Sequence, residues 1–201
     1  MNRPPLPHVV FLDACVLYPA PIRDIFMRLA LKGLIRLRWN QKVHDEWIEN
    51  LVKRRPELSL QGLRKIPLRM ADALESQEPL VTDYEYLLAY IDIPDENDRH
   101  VVAAAIVGKA EAILTFNTKD FPQEILERWD LIAYHPDEYL MEIMDLLIRK
   151  RGIPKELLDV LREQRAHLKN PPLSQEDFLA SLERSGLRRF AQAVKEFRNM
   201  L

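Results

Sequence analysis

His8-Val9-Val10-Phe11-Leu12-Asp13 is a short apolar run that stops on a carboxylate. β-Branched and aromatic residues fit a pleated, enclosed surface, so the run predicts a buried strand. Downstream, Pro19 and Pro21 break the chain. Ile22, Ile25, Phe26, Leu29 and Ala30 then recur at helical spacing until Gly33, which predicts a helix with a glycine stop. Leu34 to Trp39 alternates apolar and basic residues and predicts a second strand near a sheet edge. Asn40 is a suitable cap for a helix whose stripe is Val43, Trp47, Ile48 and Leu51. Leu58 to Leu74 predicts one or two helices, with Pro67 in the first turn of the second. A short strand is expected near Pro79–Thr82, with irregular or helical structure up to Ile93. Asp98 to Val107 predicts a helix rich in alanine and valine, Ala112 to Phe116 a buried strand, and Leu131 to Tyr134 a last short strand. Strands alternating with helices argue for an α/β layer on a mainly parallel sheet.

From about Pro136 the pattern is helix after helix, interrupted at Gly152-Ile153-Pro154 and Asn170-Pro171-Pro172. Ser174 to Asp177 resembles a helix-start box, with Asp where Glu is usual. Residues from about Pro154 to Leu201 are expected to form a helical hairpin or three-helix unit. Its apolar faces are Leu157, Leu158 and Leu161; Phe178, Leu179 and Leu182; and Phe190, Val194 and Phe197. Such stripes need cover. Their own domain, a second copy or another protein could supply it, and self-association is the expectation. The division is expected at residues 1–145 and 146–201.

The 201 residues are 47% hydrophobic, enough for a packed core, and the five glycines are few for a sandwich or barrel rich in tight turns. A net charge of −2 supplies no global field for nucleic acid, so any such contact must be local or bridged by cations. The single cysteine, Cys15, excludes an intrachain disulfide and a cysteine-rich zinc site, and fits a reducing compartment. Cys15 reads more readily as a small buried side chain than as a nucleophile. No apolar run is long enough to span a bilayer. Met1 to Pro7 lacks the apolar core of a signal peptide, so a cytoplasmic protein without membrane contact is expected.

Four acids stand where parallel α/β proteins place chemistry, at or beside the carboxyl ends of strands. Asp13 ends the first strand, Glu46 lies on the edge of the second helix's stripe, Asp98 falls in the first turn of the alanine-rich helix, and Asp120 follows the buried strand Ala112 to Phe116. Each alone has an ordinary explanation as a helix cap, a dipole partner or a solvated charge. Together they are the hard oxygen donors that Mg2+ or Mn2+ requires. Such a site can activate water and stabilise charge on a phosphate, which makes a metal-dependent nuclease the leading reading. Arg38, Lys42 and Lys119 are candidate RNA contacts on its rim, together with Arg36, Lys53, Arg54, Arg55, Arg64, Lys65 and Arg69. His100 reads as a structural or supporting residue.

Leu12-Asp13-Ala14, Asp45-Glu46-Trp47, the run from Pro94 through Asp98-Arg99-His100 to Ile106, and Thr115-Phe116-Asn117-Thr118-Lys119-Asp120-Phe121 occur in that order. The combination resembles the PIN-domain ribonucleases, and among them the VapC-like toxins, over about residues 8–140. The resemblance implies a three-layer α/β/α sandwich with a parallel sheet and a catalytic, metal-binding quartet of Asp13, Glu46, Asp98 and Asp120. Asn117 matches a polar residue beside the last acid, and Asp95 is an auxiliary. It further implies an endoribonuclease using Mg2+ or Mn2+, with RNA as substrate and a cognate antitoxin as partner. The helices beyond about residue 145 are an addition to that pattern. One rival is a phosphatase or other phosphotransfer protein, which would need a second acid where Cys15 stands. The other is a non-catalytic scaffold of the same fold.

Overall fold

The structure is a computed structural model that describes residues 6–169 and 171–201. Asn170 of the expected break, and residues 1–5 of the segment read for a signal peptide, lie outside the described residues. Four short strands form one parallel sheet in the order β2-β1-β3-β4. They are β1 (Val9–Leu12), β2 (Arg36–Arg38), β3 (Ala112–Leu114) and β4 (Ile132–Tyr134). Val10, Phe11 and Leu12 lie beside Ala112, Ile113 and Leu114 in register, and all six are fully buried. Strands covered on both faces lose the apolar–polar alternation, which is why β1 and β3 read as continuous apolar runs.

Each strand feeds helices that pack back on the sheet. These are α1 (Ala14–Leu17), α2 (Ala20–Leu31), α3 (Gln41–Arg54), α4 (Leu60–Ala73), α5 (Arg99–Val107), α6 (Gln123–Leu126) and α7 (Pro136–Arg151). The result is a three-layer α/β/α sandwich, as the resemblance implied. β2 is one of the two edge strands, as its basic alternation predicted, and β4 is the other. Asn40 caps α3 by accepting from the Val43 N–H at 2.9 Å.

Two sequence expectations need correction. The strand expected at Pro79–Thr82 is a single parallel bridge, Trp39 to Leu80, closed by Trp39 N–H to Pro79 O and Val81 N–H to Trp39 O. Pro79 has no N–H to extend the ladder, and Asp83 at φ 58° turns the chain away. Residues 58–74 hold one helix, and Pro67 sits inside it rather than at a start. The missing hydrogen bond is offset by burial of Leu63, Pro67 and Met70 along one face.

After Gly152, which closes α7 at φ 80°, come α8 (Lys155–His167), α9 (Gln175–Arg184) and α10 (Arg188–Val194). Their stripes are covered within the chain. Leu157, Leu158, Leu161, Phe178, Leu179, Leu182, Phe190 and Val194 are buried, and Phe197 is packed against the core. These faces therefore supply no argument for a second copy. Asp137, in the first turn of α7, accepts the N–H groups of Arg189 and Phe190 at 2.9 and 2.8 Å and so caps α10. Gln164 of α8 donates to the Pro21 carbonyl at 2.8 Å at the start of α2. Among the described residues, no helix is long and apolar enough to cross a membrane.

Candidate active site

The register of β1 and β3 fixes the first acid. Leu12 lies beside Leu114, so the next residues, Asp13 and Thr115, emerge together at the carboxyl ends of adjacent strands. The Asp13 N–H extends the pairing to Leu114 O at 3.1 Å. Its carboxylate accepts from Ala14 N–H at 2.6 Å, from Thr115 Oγ1 at 2.7 Å and from Cys15 Sγ at 2.8 Å. The carboxylate is held rigidly and is almost closed off from solvent. Burial raises its pKa, the three donors pull it back, and the Glu46 charge pushes it up again.

Cys15 is more than a space-filler. Its Sγ also receives the Phe116 N–H at 3.2 Å, tying the loop after β3 to the loop after β1. Burial, with Asp13 beside it, pushes the thiol pKa far up, so it stays protonated and cannot act as a thiolate.

Asp98 ends a 3-10 turn, Glu96–Asp98, that leads into α5. Asp95 caps that turn by accepting from Asn97 N–H at 2.9 Å. Desolvation first, then the charges of Asp13, Asp95, Glu46 and Asp120, raise the Asp98 pKa to about 7. Glu46 reaches inward from α3. Its Oε1 lies 3.0 Å from His100 Nε2 and 3.9 Å from Lys42 Nζ.

Asp13, Glu46 and Asp98 line one cleft of about 470 Å³, with Cys15, Tyr18, Asn50, Arg54, Asn97 and Asn117. Asp120, in the turn Thr118–Asp120, stands outside that wall, although its charge reaches Asp98. A second cleft of about 520 Å³, between α2, α4, α8 and α9, is mainly apolar, and its one acid, Asp24, is paired with Arg28. The chemistry therefore belongs to the acidic cleft.

Among the described residues, no three of His, Cys, Asp and Glu approach closely enough to enclose a metal ion by themselves. The donor set nonetheless suits a hard cation, since it is all carboxylate and burial, with the neighbouring acids adding to it, raises the pKa of Asp13 and Asp98. Asp13 and Asp98 would be the central ligands, with Glu46 and Asp120 further out.

The basic residues divide. Lys42 is at the rim, donating to the Asn97 carbonyl at 3.2 Å. Lys119 is exposed in the Asp120 turn. Arg38 is engaged by backbone, its Nε donating to the Gly108 carbonyl and its Nη1 to those of Leu37 and Gln77. Arg54 lines the cleft, with its guanidinium 5.6 Å from the Tyr18 ring centroid.

A family model described as "PIN domain" matches residues 9–119, which holds β1 to β3 and every residue that lines this cleft, and stops one residue short of Asp120. The chain belongs to the PIN-domain family. A second model, described as "VapC50 C-terminal domain", matches residues 136–196. A Mycobacterium tuberculosis (strain ATCC 25618 / H37Rv) protein named "Putative ribonuclease VapC50" is 47% identical over a match covering 33% of this chain and 48% of that protein. The match thus spans about half of the relative's length. No solved structure matches the chain at a significant level. Within the PIN-domain frame, sequence reasoning picked out three acids that share the cleft and missed what holds the first of them. Cys15 read as a small buried side chain and Thr115 as part of a polar strand end; the strand register brings Thr115 to the Asp13 carboxylate, and Cys15, two residues on, turns back to it.

Proposed function

We propose that this PIN-domain chain is a divalent-metal-dependent endoribonuclease, the toxin of a toxin–antitoxin pair, with Asp13, Glu46, Asp98 and Asp120 as its acidic site. One observation carries the reading. Asp13, Glu46 and Asp98 line one cleft, and Asp13 and Asp98 are both driven toward protonation, first by burial and then by the other acids gathered at that end of the sheet. Protein side chains arranged at such electrostatic cost point to a cationic ligand. Mg2+ or Mn2+ bound there would supply Lewis acidity toward a phosphate oxygen and lower the pKa of a bound water.

The chain's own residues do the rest. Thr115, Cys15 and the Ala14 N–H fix the Asp13 carboxylate, so its orientation is not left to rotamer freedom. Asp98 faces it across the cleft and must lose its proton to bind a cation. Glu46 and Asp120 orient water at the edges, and Asn117 and Asp95 support the two loops. Lys42, Lys119 and Arg54 are the cations available to the RNA backbone. The helical part, which matches the VapC50 C-terminal model from residue 136, begins with α7. Because α7 runs unbroken through residue 145, we place the division near residue 135.

The test is cleavage of a mixed-sequence RNA by the purified chain with EDTA, Mg2+ or Mn2+. Cleavage should require the cation and should vanish in Asp98→Asn. Cleavage in EDTA, or none under any condition while the cation still binds, would overturn the nuclease reading. Co-purification of a small protein encoded beside the gene, with loss of cleavage in the complex, tests the antitoxin.

A further inference from the structure

His100 and Asn40 are 2% and 0% exposed, so every polar atom they carry needs a partner inside the protein. Asn40 has its orientation fixed twice. Its Oδ1 accepts from the Val43 N–H at 2.9 Å, and a backbone N–H can only donate. Its Nδ2 lies 3.2 Å from the His100 carbonyl, and a carbonyl can only accept. The atom that faces His100 Nδ1 at 3.1 Å is therefore an NH2 group. Nδ1 must accept, and the neutral imidazole must carry its proton on Nε2.

That proton has one place to go. Nε2 is buried with no aligned hydrogen-bond acceptor, yet it lies 3.0 Å from Glu46 Oε1. Glu46 is the freer partner, its side chain one-third exposed (33%), so a modest rotation of the carboxylate brings the N–H and Oε1 into line. His44 shows that a buried histidine does not do this by default. Its Nδ1 accepts from Trp47 Nε1 at 2.9 Å, and its Nε2 is likewise buried without a partner. Among the described residues no carboxylate pairs with it, and it stays neutral, with burial and then Arg23 lowering its pKa to about 4.

We propose that Asn40 locks His100 in the Nε2–H tautomer so that His100 holds Glu46 Oε1, making His100 a positioning residue for the acidic site. The relay joins the N-cap of α3 to the first turn of α5. It thereby couples the two helices that carry Glu46 and follow Asp98. Holding Oε1 leaves Oε2 as the oxygen of this cleft-lining carboxylate available to a cation or an ordered water. Without the relay the carboxylate is free to swing toward Lys42, its other neighbour at 3.9 Å. Partners that orient a ligating carboxylate typically change metal affinity by about 10- to 100-fold when removed. The role in cation binding rests on the metal-site reading above; the tautomer and the Glu46 contact do not.

The experiment has a metal-free arm and a metal arm. Nitrogen-15 NMR of the imidazoles in the metal-free chain should show His100 protonated at Nε2 and bare at Nδ1. Asn40→Ser keeps an N-cap oxygen but removes the donor to Nδ1, so it should abolish that preference. Glu46→Gln should shift the His100 Nε2–H resonance. In the metal arm, His100→Leu leaves a buried Asn40 amide hydrogen without its acceptor, so it should lower the thermal midpoint modestly and weaken Mn2+ binding on the order of 10-fold. His100→Gln, whose amide can still donate to Glu46, should recover most of the loss. A proton on Nδ1, or an Nε2–H signal indifferent to Glu46→Gln, would overturn the relay. Equal Mn2+ affinity in the leucine and glutamine variants would overturn its role at the site. Failure of the parent chain to bind Mn2+ would instead overturn the metal reading, with the relay still decided by the NMR arm.

Discussion

At the scale of single residues, the site is a set of carboxylates held in unequal ways. Asp13 is locked by three donors, and that predicts how it tolerates substitution. Asparagine keeps the shape. Its Oδ1 takes the Ala14 N–H and its Nδ2 faces Thr115 Oγ1 and Cys15 Sγ, both of which can turn to accept. Asp13→Asn should therefore fold, with a thermal midpoint equal to or above the parent's. RNA cleavage should fall on the order of 100-fold or more, past the upper end of what loss of a supporting partner costs. Unchanged cleavage in the folded variant would remove Asp13 from the mechanism.

Asp98 is less restrained and carries the pH dependence. Its folded pKa, about 7, lies above the unfolded value of 3.8. Between those values the folded state holds a proton that the unfolded chain has released. Stability of the metal-free protein should thus fall as pH rises from about 4 to about 7, and level off above. Asp98→Asn should flatten that slope without abolishing it, because Asp13 is shifted the same way. It should stabilise the metal-free protein at pH 8 on the order of 1–2 kcal/mol, allowing for solvent screening of a half-buried group. Urea midpoints in EDTA at pH 5 and pH 8 measure this, and a parent protein more stable at pH 8 would contradict it. The same proton competes with a cation, so Mn2+ affinity should weaken by up to about tenfold per pH unit below 7.

At the scale of elements, α10 and the turn before it are each held at a point that substitution can test. Asp137 caps α10 from α7, and it is itself buried. Asp137→Ala leaves two N–H groups at a helix start without their acceptor and should cost about 2 kcal/mol. Limited proteolysis of that variant should release the α9–α10 segment while β1 and β3 stay protected; a cleavage pattern like the parent's would show that the cap is not what holds α10. Gly186 is the second point. It adopts φ 104°, and an added Cβ would stand 2.7 Å from the Phe116 ring. Phe116 in turn gives its N–H to Cys15, which holds Asp13. Gly186→Ala should therefore lower stability by about 1–2 kcal/mol and also reduce cleavage at saturating Mn2+. Lost stability with full activity would mean that the strain stops at Phe116.

At the scale of the whole molecule, the tail behaves as a third part of the core rather than an appendage. α8 packs on α2, and α10 on α7. Truncation after Arg151 should bare both faces and give an aggregated or loosely packed protein, seen by light scattering and by loss of a cooperative thermal transition. A soluble truncated chain with parent molar mass and parent cleavage would show that the helices serve neither packing nor catalysis. Self-association, if the parent shows it by the same measurement, has to use a surface other than the stripes of α8 to α10, which are already covered.

The sequence alone determined the order of strands and helices, the acid at the end of β1, the cap on α3 and the helical character of the tail. These are local matters, set by periodicity, by propensity and by a side chain's reach to its own neighbours in the chain. It could not show that Pro67 continues a helix, because tertiary burial of one face outweighs a local break. Nor could it show that Pro79–Thr82 makes only one bridge, because strand length depends on what lies alongside. Arg36 and Arg38 looked alike in sequence; folding spends Arg38 on three carbonyls, and nothing in its neighbours announces that. Glu46 could be chosen over Asp45 and Glu49 by its place on the stripe, but its tie to His100 joins residues 54 positions apart in the chain. Thr115 became a partner of Asp13, and the Phe116 N–H a partner of Cys15, only through the parallel register of β1 and β3. Chemistry here depends on which atoms face one another across more than a hundred residues of chain, and only the packed sheet and its two covering layers bring them within hydrogen-bond distance.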